Sequence, residues 1–169
     1  MKKIAIIGPE CTGKSWLSRN LAEHFDTLWV PEYAREYLNQ LDRPYQRSDL
    51  LSIAKGQIES EDRLTEQANE LIFCDTNLYV IKIWSEHKFG QCDPWILEEI
   101  AKRKYNLHLL TSIDIPWEED PQREHPQMRK YFFDVYHNEM IHIKTKFSVI
   151  KGLNDSRLKA AIQAVKRIL

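Results

Sequence analysis
The sequence predicts an α/β fold built on a doubly wound, mainly parallel sheet of five short strands, and three observations lead to it. Short apolar runs alternate with helical patterns from one end of the chain to the other, the arrangement of a parallel sheet covered on both faces. The first apolar run leads directly into Gly8-Pro9-Glu10-Cys11-Thr12-Gly13-Lys14-Ser15. This is a complete G-x-x-x-x-G-K-[ST] phosphate loop in the strand-to-helix setting it requires. Polar residues follow the second, third and fourth apolar runs, at the carboxyl edge where open α/β sheets gather their chemistry. Together these features specify a P-loop NTPase fold.

The strands are expected at Ile4 to Ile7, Thr27 to Val30, Leu71 to Cys74, Leu107 to Leu110 and Phe147 to Ile150, each a short apolar or β-rich run. Ser15 to Phe25 and Leu50 to Asn69 read as helices, and another begins near Leu78. Asp93 followed by Pro94 gives a helix cap with proline at the first helical position. Met128, Tyr131, Phe132, Val135, Tyr136 and Met140 recur near a 3.6-residue period, which assigns them to core packing. Trp117 to Arg129 is dense in charge, carries prolines and lacks an apolar period, so residues 116–130 are expected to form an ordered lid. The 169 residues suit one domain, 1–169.

Hydrophobic residues make up 43% of the chain and the net charge is −1, which argues against a nucleic-acid binder, since such domains concentrate basic charge. The N-terminal apolar run stops at the phosphate loop, and no stretch reaches the roughly 20 apolar residues that span a bilayer. The chain therefore reads as cytoplasmic, without a membrane partner. Cys11, Cys74 and Cys92 are scattered, without disulfide or zinc spacing. Cys11, inside the loop, reads as a small loop residue more readily than as an oxidation-sensitive one. Assembly into a homo-oligomer is left open.

The glycines let the backbone of Gly8 to Ser15 wrap phosphate oxygens with the N–H groups it carries outside Pro9, with Trp16 next along the same helix start, and that helix adds its positive dipole end. Lys14 supplies a point charge near the β- and γ-phosphates of ATP, and Ser15 is placed to hold Mg²⁺. Asp75 ends the third apolar run, where P-loop proteins place the acid that serves Mg²⁺, and it also suits a helix cap. Glu32 follows the second strand, where a carboxylate can accept the proton of an attacking hydroxyl. The plainer alternative is an exposed glutamate opening a helix, favoured by the dipole. Arg35 shares a face with Glu32 if the segment is helical, for substrate contact or for a surface ion pair. Tyr33 and Trp84 can wall a flat ring or pack in the core. Arg123 and Arg129 are the candidate cations of the lid, and Asn154, in the Gly152 to Arg157 segment, either frames adenine or caps the last helix.

These motifs jointly resemble the kinase domain of NadR-type proteins, the nicotinamide riboside kinases of the P-loop nucleoside and nucleotide kinase group. The resemblance rests on GPECTGKS, on PEYAREY after the second strand, on FCDTN at the third, on PW-x-x-D-x-x-R within Pro116 to Arg123, and on NDSR before the last helix. It implies a strand order 2-3-1-4-5 and transfer of the ATP γ-phosphate to the 5′-hydroxyl of nicotinamide riboside. It also implies that Glu32 and Arg35 lie at the riboside end with Tyr33 and Asn77 near them, and that Lys14, Ser15 and Asp75 lie at the phosphates and metal. The chain departs from the pattern at Asn77, where relatives carry a second acid, and at Pro121, where they carry glycine. The family's DNA-binding and adenylyl-transfer parts have no counterpart in the chain and are not expected of it. Two alternatives stand beside this reading: another nucleoside or nucleotide kinase, and a non-kinase ATP-binding regulatory or ATPase module.

Overall fold
The computed structural model describes residues 1–169. Its five strands are β1 Lys2–Ile7, β2 Leu28–Val30, β3 Leu71–Asp75, β4 Leu107–Thr111 and β5 Phe147–Ile150. They form one sheet in the order β2-β3-β1-β4-β5, with every neighbouring pair parallel. The expected fold class and strand order are both observed. The chain winds from β1 towards one edge, returns through β3 and crosses β1 to reach β4. The carboxyl ends of β1 and β3 therefore lie side by side where the winding reverses, the usual place for a ligand in such a sheet. The register pairs Ile6 with Asp75, and the Thr76 N–H donates to the Ile6 carbonyl at 3.0 Å. This fixes Asp75 against the first residues of the phosphate loop.

The helices are α1 Lys14–His24, α2 Tyr33–Asn39, α3 Arg47–Gln67, α4 Leu78–Phe89, α5 Pro94–Lys102, α6 Arg129–His142 and α7 Asn154–Lys166. Period-two alternation in β1 sends Ile4 and Ile6 to a core shared with α1 and α7, through Leu17, Leu21, Ala161 and Val165. Ala5 and Ile7 face the opposite way, against α4 and α6 through Ile83, Phe132, Tyr136 and Met140. Each fully buried isoleucine or leucine side chain contributes roughly 1.5–3 kcal/mol. Burial on both faces explains why these strands read as continuous apolar runs. A separate cluster of Leu50, Ile53, Ile81 and Ile96 joins α3, α4 and α5.

Element ends differ from the sequence reading for identifiable reasons. Helix α3 begins at Arg47, a turn before Leu50, because the Asp49 carboxylate folds back to accept from the Gln46 N–H at 2.6 Å. Strand β3 runs one residue further, to Asp75, through its pairing with Ile6. The expected lid is irregular only to Met128, since Arg129 and Lys130 already belong to α6. No helix is long and apolar enough to cross a membrane.

Candidate active site
The phosphate loop is held from behind by β4. Thr111 donates its hydroxyl to the Ile7 carbonyl at 3.1 Å and lies 2.7 Å from the Thr12 hydroxyl, so the end of one strand clamps both arms of the loop. Gly8 adopts φ +142°, and a side chain there would collide with Thr111. Gly13, at φ +74°, precedes α1 and leaves the first N–H groups of that helix facing the cleft. Lys14 folds across the loop and donates to the Pro9 carbonyl at 2.8 Å. On the far side the fully buried Arg157 of α7 donates to the carbonyls of Thr12, Gly152 and Ser112 and pairs with Asp114. The loops after β4 and β5 are thereby tied to the phosphate loop.

Two carboxylates stand at this edge. Glu32, in extended conformation, opens α2 and lines the cleft. Asp75 is 1% exposed, and neither of its oxygens has a hydrogen-bond partner. Burial, with the charge of Glu32 alongside, pushes its carboxyl up to about 7, although Ser15, Lys14 and Arg35 draw it down. An unpaired buried carboxylate is costly. A divalent cation shared with the Ser15 hydroxyl would relieve that cost, so these residues fit Mg²⁺. The protein offers no cluster of three metal-ligating side chains. Mg²⁺ commonly binds through one or two protein groups together with phosphates and waters.

From the phosphate loop a single cleft of about 540 Å³ runs past Glu32 and Arg35 to a recess lined by Leu38, Leu41, Tyr45, Val80, Trp84 and Phe132. This size suits a small-molecule ligand. Residues 112–128, between β4 and α6, supply its remaining wall through Pro121 to His125. Asp120 pairs with Arg35 at 2.9 Å, and Gln122 donates to the Arg35 carbonyl and to Asn39. The Glu10 carboxylate accepts from the main-chain N–H groups of Glu124 and His125 at 3.0–3.2 Å.

Residues 3–157 match the AAA domain family. The chain belongs to that family. A relative in Salmonella typhimurium, the trifunctional NAD biosynthesis/regulator protein NadR, is 27% identical over the whole chain. The chain spans 43% of that relative's length. Two solved NadR structures, one with nicotinamide riboside and one with NAD and AMP-PNP, align over 99% of the chain and 49% of theirs. Their TM-scores are 0.84 and 0.82, at 24% and 23% identity. A thymidylate kinase from Ehrlichia chaffeensis shares the fold at TM-score 0.64 and 14% identity, over 99% of this chain and 98% of its own. The fold of this AAA domain is thus that of P-loop kinases.

Within the AAA domain, the sequence-derived residues Gly8, Glu10 to Trp16, Glu32, Arg35 and Arg123 meet in the one cleft, with Asp75 beside them. Others do not enter it. Tyr33 turns its ring onto Gly56 of α3, and its N–H donates to Gln57, so it packs between helices. Asn77 is fully buried: its Oδ1 caps α4 at the Tyr79 N–H, and its Nδ2 lies 3.2 Å from His108. Neither side chain lines the cleft, where the expectation of substrate contact would put them. Asn154 is exposed at the start of α7, outside the cleft lining. Arg129 lies outside that lining too and donates to the Cys11 and Ile115 carbonyls, bracing the loop from its flank. Arg35 pairs across the cleft with Asp120, not with Glu32 or Glu36. Arg43, Tyr45, Glu124 and His125 line the cleft without having stood out in the sequence, because they lie in loops that carry no period.

Proposed function
We propose that the chain is an ATP-dependent kinase that phosphorylates the 5′-hydroxyl of nicotinamide riboside, giving nicotinamide mononucleotide. The observation that carries the reading is the continuity of the cleft from the phosphate loop, past Glu32, to an apolar and aromatic recess. A module that only binds nucleotide has no use for that second chamber. The similarity to NadR, solved with nicotinamide riboside and with AMP-PNP, supports the choice of both ligands.

In this reading the loop N–H groups and Lys14 hold the ATP phosphates, Lys14 leaving the Pro9 carbonyl for them. Ser15 and Asp75 would hold Mg²⁺, which would supply neutralisation of the phosphate charge. Glu32 orients the acceptor hydroxyl and takes its proton as the hydroxyl oxygen bonds to the γ-phosphorus and the bond to ADP breaks. Arg123, which stands over the Trp117 ring, is the cation of the closing segment nearest the cleft. The faces of Tyr45 and Trp84 suit the positively charged nicotinamide ring.

The basic groups of the recess favour an unphosphorylated acceptor over a nucleoside monophosphate. Arg35 is paired with Asp120, and Arg43 is held in a two-pronged bond by Asp49 at 2.7–2.9 Å. The charge of each guanidinium is thus already balanced by a carboxylate, which weakens its pull on a phosphate. The test is ADP release from Mg-ATP with nicotinamide riboside, with other nucleosides and with no acceptor. Stimulation by the riboside, with the mononucleotide formed, is expected. Stimulation by another nucleoside alone would reassign the acceptor, and none by any would favour the regulatory module.

A further inference from the structure
The two halves of the cleft meet in one residue of the 112–128 segment. The side chain of Glu124 accepts from the Tyr45 hydroxyl at 2.7 Å and pairs with Lys88 at 3.1 Å. The Tyr45 hydroxyl in turn accepts from the Trp84 indole N–H at 2.9 Å, and the Lys88 ammonium lies 5.1 Å from the centre of the Tyr45 ring. Tyr45, Trp84 and Glu124 belong to the wall of the cleft, and Lys88 stands behind them. The main-chain N–H of the same Glu124, with that of His125, donates to the carboxylate of Glu10 in the phosphate loop. A continuous chain of hydrogen bonds thus runs from Trp84 through Tyr45 and Glu124 to Glu10.

We propose that Glu124 is a positioning residue that couples occupancy of the recess to the setting of the phosphate loop, so that acceptor and ATP each tighten the binding of the other. A molecule seated against Tyr45 and Trp84 fixes the hydroxyl that holds Glu124. Fixing that side chain fixes its N–H, and with it the carboxylate of Glu10 two residues before Thr12. Because binding coupling is reciprocal, a non-hydrolysable ATP analogue tightens the acceptor by the same factor. The inference rests on the riboside reading of the recess.

The test is calorimetric binding of AMP-PNP with Mg²⁺, in the absence and presence of saturating nicotinamide riboside. The readout is the ratio of the two dissociation constants, from which any effect of a substitution on nucleotide affinity alone cancels. The parent protein is expected to show coupling of about 5-fold or more, the lower end of ordinary allosteric coupling. Tyr45→Phe, which removes only the hydroxyl, and Glu124→Ala should each bring the ratio to within about 2-fold of unity. Glu124→Gln keeps an oxygen that accepts from Tyr45 and should retain most of the coupling. A purely structural defect would lower affinity without abolishing the ratio. A parent ratio of one, or full coupling in both disruptive variants, overturns the inference and leaves the kinase reading standing. Failure of the riboside to bind the parent at all overturns both.

Discussion
Glu32 and Asp75 share one edge of the sheet, yet their surroundings assign them different work. Glu32 lines the cleft from the cap position of α2 and faces the path from phosphate to recess. Glu32→Gln keeps its shape and removes its basicity. It should lower phosphoryl transfer by about 10²-fold or more, the usual scale for a positioned base, with ATP binding largely retained in a direct titration. Loss of ATP affinity instead would move Glu32 to the metal or the fold. Asp75 is sealed in without a hydrogen-bond partner, and its carboxyl is held far above the ordinary range by burial and by Glu32. Asp75→Asn removes a charge that the nucleotide-free protein cannot solvate. At pH 8 this variant should melt higher than the parent, by about 1 kcal/mol or more of stability, while losing the extra stabilisation that Mg²⁺ adds to ATP. A lower melt together with intact Mg²⁺ dependence would make Asp75 a structural group.

At the scale of elements, the packing of α2 on α3 decides where Glu32 points. The ring of Tyr33 fills the space that a side chain at Gly56 would occupy, so the glycine is a notch in the middle of a 21-residue helix. In an unobstructed helix, glycine to alanine adds about 1 kcal/mol of stability. Here Gly56→Ala should have the opposite sign, costing about 1–2 kcal/mol in urea titration, because overpacking outweighs helix propensity. It should also lower turnover, since the displaced Tyr33 is the immediate neighbour of Glu32. A stabilised and fully active variant would show that α2 is not seated through this contact.

The notch also illustrates what could and could not be read from the sequence. The strands were legible because two-sided burial turns each into an apolar run, and the phosphate loop because its chemistry demands fixed glycines and a lysine at fixed spacing. Tyr33 and Asn77 lie in the right motifs, but a motif fixes neighbours in sequence and leaves open which way a side chain turns. Gly56 draws the Tyr33 ring to α3, and His108, on a different strand, takes the amide of Asn77. Arg157 and Glu124 act through carbonyls and hydroxyls far away in sequence, Thr12 for the one and Tyr45 for the other. Their roles arise only once β4, α7 and the 112–128 segment are in place.

Across the molecule, stability is expected to respond to pH through a buried group outside the cleft lining. His108 lies buried in β4 between Asn77 and Thr145, and burial holds its imidazole down at about 4, against an ordinary 6.5. A depressed value means that the unfolded chain takes up the proton first. The stabilisation is therefore complete above pH 6.5 and is lost as the pH falls from 6.5 towards 4, to a total on the order of 3 kcal/mol. Urea unfolding at pH 7.5 and 5 should show the parent losing more stability than His108→Gln over that interval. Equal losses would place the pH dependence elsewhere.

The two ends of the chain meet on the side of the sheet opposite the cleft, where the Lys2 ammonium donates to the carbonyls of Ile168 and Leu169 at 2.7 and 3.1 Å. A short linker could therefore join residue 169 to residue 1 and the chain could be reopened at an exposed bend such as Asn69, giving a circular permutant whose phosphate loop and recess are undisturbed. The same geometry means that a protein appended at either end would hang from the floor of the sheet, leaving the mouth of the cleft open to small molecules.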